Sequence, residues 1–64
     1  MTEIIILTEK IIDTYLMPDK LIVIASPNNK IWYCDKISEE EFVKFCDDIK
    51  TKKTITLHLK GKSE

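Results

Sequence analysis

"TEKIIDTYLM", residues 8–17, decides the fold of this 64-residue chain, because it reads both as a helix and as a strand. On a helical wheel Ile11, Ile12, Tyr15 and Leu16 share one side, and Glu9, Lys10, Asp13 and Thr14 share the other. Thr8 would cap the start and Pro18 would mark the end. As a strand the segment alternates poorly, since Asp13 would fall on one face with Ile11 and Tyr15. Two features oppose the helix. Ile, Thr and Tyr are mediocre helix formers, and "MPDK" (17–20) would serve as a turn in a β-meander. The periodicity and the two end signals favour a short helix.

The rest of the chain is plainer. "SEEEFVKFCDDIK" (38–50) starts with a capping box, Ser38 followed three residues later by Glu41. Phe42, Phe45, Cys46 and Ile49 then fall on one stripe, so a helix is expected over 39–50. "TITLHLK" (54–60) alternates, with Ile55, Leu57 and Leu59 on one face and Thr54, Thr56, His58 and Lys60 on the other. That is a strand whose apolar side should pack on the helix before it. "LIVIASPNNKIWYC" (21–34) reads as two strands, 20–26 and 30–36, around a Pro-Asn-Asn turn in which Asn28 or Asn29 can be left-handed. "EIIIL" (3–7) is a further strand, and the tail 61–64 is expected to fray.

With a helix at 8–17 the order is βαββαβ, the split βαβ or ferredoxin-like order, with both helices on one face of a four-stranded antiparallel sheet. The alternative order is βββαβ, a meander with one helix. Both are a single small α+β domain.

Either way one sheet face lacks cover. An antiparallel sheet with one wet face should alternate apolar with polar residues, and only the last strand does so. In "KIWYC" one of Trp32 and Tyr33 must face outward, and in "LIVIA" one side carries Ile22 and Ile24. Three explanations compete: a twisted sheet that shields its own apolar surface, a homodimer packed sheet on sheet, or docking on a larger protein with Trp32 or Tyr33 as anchor. Glu39, Glu40, Asp47 and Asp48, expected on the exposed side of the second helix, could add contacts to a basic site on such a target.

Composition narrows the function classes. Ten lysines stand against eleven acidic residues, for a net charge of −1, so nothing points to a large electrostatic partner. Arginine and glutamine are absent and Ile occurs eleven times, the usage of an AT-rich genome. Without Arg the chain lacks the planar fork suited to phosphates and guanines. "KIWYCDKI" lacks the spaced aromatics of an RNA-recognition signature, and the pI near 5.8 suits no backbone binder. A single-stranded nucleic-acid module using an open sheet face is therefore the lesser alternative.

No signal-peptide pattern or apolar run of membrane-spanning length is visible, so a cytoplasmic location, in the producing or a host cell, is expected. Cys34 and Cys46 are then read as free thiols. With His58 they match no zinc spacing, so no metal or other cofactor is expected. A Cys34–His58 nucleophile pair would lack an evident third group and oxyanion donors, and the chain is read as no enzyme. The resulting expectation is a non-enzymatic interaction protein, of the kind carried by phages and mobile elements, that binds and blocks or modulates a larger protein, itself, or both.

Overall fold

The computed structural model describes residues 2–61. Its elements are β1 (Thr2–Leu7), a 3-10 turn (Thr8–Lys10), β2 (Ile11–Leu16), β3 (Leu21–Ala25), β4 (Lys30–Cys34), α1 (Glu39–Thr51) and β5 (Thr54–Leu59). All five strands join one antiparallel sheet in the order β1-β5-β4-β3-β2. The α+β class holds, but neither expected order does. Among the described residues there are five strands where both orders have four, and one helix, as in the alternative order, where the favoured order has two. Of the tail expected to fray, 62–64 lies outside the described residues.

The correction falls on residues 8–17. They form a 3-10 turn and a strand, because a β-bulge repairs the alternation that argued against a strand. Ile11 pairs with Ala25 and Asp13 with Ile24, so Ile12 is one residue too many. Past the bulge, Thr14 and Leu16 share the inner face with Ile11, while Asp13 and Tyr15 point outward. The β-branched and aromatic residues that make a poor helix suit this pleated edge.

Connectivity forces the sheet to curl. β1 and β2 lie at opposite edges of the strand order, yet only the three-residue 3-10 turn separates them. Across a flat five-stranded sheet they would stand about 19 Å apart. Three residues in 3-10 form reach only about 8 Å. The junction of β4 with β5 is correspondingly narrow: Cys34 pairs with Leu59, flanked by Asp35 N–H to His58 O (2.9 Å) and Lys60 N–H to Tyr33 O (2.8 Å). The sheet bends at this corner, and the inner side chains of β1 and β5 come to pack with those of β2, β3 and β4.

Leu21, Val23, Cys34 and Leu57 form the buried centre, with Ile4, Ile6, Ile11, Leu16, Trp32, Ile55 and Leu59 packed round it. The helix adds Phe42 and Phe45 to the same cluster. Its capping box is complete: Glu41 N–H donates to Ser38 Oγ (3.1 Å), and Ser38 N–H donates to Glu41 Oε1 (2.8 Å). The apolar side of β5 packs with the helix cluster as its alternation requires. The β3–β4 turn places both Asn28 (φ 68°) and Asn29 (φ 52°) in the left-handed region, which Asn tolerates better than most residues.

Candidate interaction surface

The outer face of β2, β3 and β4 carries a run of apolar side chains that the fold leaves outside. Its geometry follows from register. Ile22 is the cross-strand partner of Tyr15 on one side and of Tyr33 on the other. Ile24 is likewise flanked by Asp13 and Ile31. Opposite residues in antiparallel strands share a face, so these six side chains form two adjoining rows. Tyr15, Tyr33 and Ile31 are about half exposed, at 47%, 51% and 49%, while Ile22 and Ile24 between them are half-buried. Ile12, the bulge residue, is exposed beside them.

Polar groups fix the rim. The Tyr15 hydroxyl donates to Asp13 Oδ2 at 2.7 Å, and Asp13 Oδ1 accepts the Thr14 amide at 2.9 Å. The hydrogen bond to Asp13, together with that residue's negative charge, holds the Tyr15 phenol above its ordinary pKa of 10.0. At the β2–β3 turn Lys60 Nζ donates to the Asp19 carbonyl (3.3 Å). Lys20 binds the Asp19 carboxylate (3.1 Å) and lowers its pKa. On the β1–β5 side, His58 Nδ1 lies 3.2 Å from Glu3 Oε2, a cross-strand pair in register.

The expected site residues fall in three places that the fold does not bring together as one site. Tyr33, Ile22 and Ile24 lie on the outer face. Trp32 takes the other side: it packs against the core, with Lys30 Nζ 4.6 Å from the ring centroid at its open margin. Glu39, Glu40 and Asp47 are exposed on the helix. Asp48 departs from the expected fully exposed position. It is half-buried, and Lys44 (3.5 Å) and Lys52 (3.7 Å) flank its carboxylate.

Sequence reading missed Tyr15 and Asp13 as members of this surface, because both sat in the segment read as a helix. The available signal was the strand-favouring composition of "IIDTYL" next to a turn.

Both cysteines are free thiols. Cys34 is buried, and burial, with the neighbouring Asp35 charge, pushes its pKa up to about 11. Cys46 Sγ sits 3.9 Å from Thr14 Oγ1, where helix meets β2. Among the described residues, no group of three His, Cys, Asp or Glu is placed to hold a metal ion. None of their helices is long and apolar enough to cross a membrane.

No protein-family model, curated protein or solved structure matches the chain.

Proposed function

We propose that the protein is a non-enzymatic interaction module that binds and blocks or modulates a larger protein. The observation that carries this reading is the Tyr15–Ile22–Tyr33 row with Ile24 and Ile31 beside it, an apolar floor between two half-exposed phenol rings. Tyrosine supplies large contact area at low entropic cost, and each hydroxyl keeps a polar handle at the rim. A partner with a flat apolar patch would complete what the chain leaves open, and occlusion of that patch is the simplest mode of inhibition. An accessory inhibitor of a phage or mobile element, working in the cytoplasm of its host, fits the size and composition.

Nucleic acid suits the same face less well. Asp13 accepts hydrogen bonds within it, and an acidic group beside the stacking rings repels phosphates.

The experiment is affinity capture with the tagged protein and with its Tyr33→Ser and Ile31→Ser variants. A protein partner retained by the parent through high-salt washes, and lost from both variants, is the expected result. Capture that ignores both variants, or bound nucleic acid that salt removes, would overturn the reading.

A further inference from the structure

The two outer edges of the sheet are built differently. In an antiparallel ladder, alternate residues direct N–H and C=O towards the neighbour and the rest direct them away. On β2, the Met17 N–H to Lys20 O bond fixes the alternation, so that Asp13 and Tyr15 bond β3 and Thr14 points outward. That outward amide is already taken by Asp13 Oδ1, and the bulge at Ile12 breaks the edge above it. Helix α1 also approaches β2, with Cys46 against Thr14. A bulge, a charged side chain and a covering helix are standard protections against strand addition.

β1 has no such break, and its one charged side chain, Glu3, is paired with His58 of β5. It runs Thr2–Leu7 in unbroken register with β5 and contains no Pro, Lys or bulge. The Thr8 N–H to Lys53 O bond (2.9 Å) continues its ladder, so the even-numbered residues bond β5 and Glu3, Ile5 and Leu7 direct their backbone groups outward. Among the described residues no hydrogen bond reaches those three amides. Ile5, at the middle of the run, is 74% exposed.

We propose that β1 is the edge along which two copies of this chain join, antiparallel about a two-fold axis at Ile5, into one continuous sheet. This goes beyond the partner-binding face and does not use its residues.

The edge is self-complementary in three ways. Ile5 faces Ile5 of the second copy, and Glu3 faces the second copy's Leu7, so each outward N–H meets an outward C=O and none of the three residues is left over. The same register sets the inward Ile4 opposite the second copy's Ile6, so apolar faces continue across the join. Charge agrees as well. Glu3 does not meet the second copy's Glu3 but comes to the end where Leu7 lies with three lysines, Lys50, Lys52 and Lys53, and one acid, Glu9, round one surface cleft. A larger protein that donates a strand would gain the backbone bonds but not this matched register.

Sedimentation from micromolar to millimolar concentration tests it, with hydrogen exchange at the Ile5 amide. The expected mass rises from 7.5 kDa towards twice that value, and Ile5 becomes protected over the same range. Two variants locate the contact. Ile5→Lys sets two lysines together on the axis. Chemically synthesised protein with an N-methylated Ile5 amide loses one outward donor and keeps every side chain. Both should remain monomeric with unchanged circular dichroism, while Tyr33→Ser should dimerise as the parent does. The proposal is overturned if the parent stays monomeric, if the N-methylated protein dimerises as tightly as the parent, or if Ile5 is protected only when another protein is added. Should Ile5→Lys fail to fold, the N-methylated protein and the exchange data still decide.

Discussion

The Thr8 hydroxyl donates to the backbone carbonyl of Lys52, forty-four residues further along the chain. Its amide donates to the next carbonyl, that of Lys53. Thr8 is 7% exposed, a buried polar residue on a three-residue turn. These bonds clasp the turn between the sheet's two edge strands to the link between α1 and β5. The curl of the sheet depends on that turn staying where it is. Thr8→Val keeps the shape and removes the donor, leaving a carbonyl short of a partner, a change that costs about 1–3 kcal/mol. Thr8→Ser keeps the hydroxyl and should lose less. Urea denaturation of both variants measures the difference, and equal midpoints for Thr8→Val and the parent would show that the clasp contributes nothing.

The helix start is a more local matter. Ser38 and Glu41 each satisfy the other's backbone amide. Ser38→Ala should therefore lose about 1 kcal/mol of stability. Helical circular dichroism should be preserved at low temperature, because Phe42 and Phe45 still anchor the helix on the core. A variant as stable as the parent would mean that water caps the helix equally well.

Cys34 gives the fold a dependence on alkaline pH. The unfolded thiol ionises near 9.0, whereas burial first, and Asp35 second, raise the folded thiol to about 11. Between those values the unfolded state releases a proton that the folded state keeps. Stability is thus intact below pH 9 and falls as pH rises towards 11. Cys34→Ala carries no such proton, so its stability should fall less over that interval. Parallel denaturation curves at all alkaline pH values would remove the effect. Alkylation at neutral pH should modify the half-exposed Cys46 before Cys34.

How far the fold could be read from the sequence depended on whether one element announced itself alone. The helix at 39–51 and the strand at 54–59 did, through a capping box and strict alternation, and each is set by its own residues. β2 did not. Its alternation is interrupted at Ile12, and only the register with β3 shows that the interruption is a bulge. The curl was hidden for a related reason. It follows from β1 and β2 being both chain neighbours and opposite edges, which is a property of pairing and not of any segment. The outer face was legible in kind, since one of Trp32 and Tyr33 had to point outward. Which one did so follows from the register with β3, where Trp32 pairs with the buried Val23 and Tyr33 with Ile22, and no local pattern encodes that register.

That choice gives the sharpest contrast between folding and association. Trp32 packs on the inner side against the core, and Tyr33, the next residue, is half exposed on the outer side. Trp32→Ala removes a large partly buried side chain and should cost about 3 kcal/mol, the low end for such a deletion because the ring is not fully enclosed. Loss of the Lys30 ammonium's contact with the ring adds little, since that contact is at the open margin. Tyr33→Ala forfeits cross-strand contact with Ile22 and should cost less than about 1 kcal/mol. Partner capture should show the opposite order: lost with Tyr33→Ala, and retained with Trp32→Ala at temperatures where that variant stays folded. Denaturant midpoints and capture from one lysate, measured on both variants, check the two orders together. Similar stability losses would mean that the outer face is as closed as the inner one, and capture indifferent to Tyr33 would move the partner's footprint elsewhere on the chain.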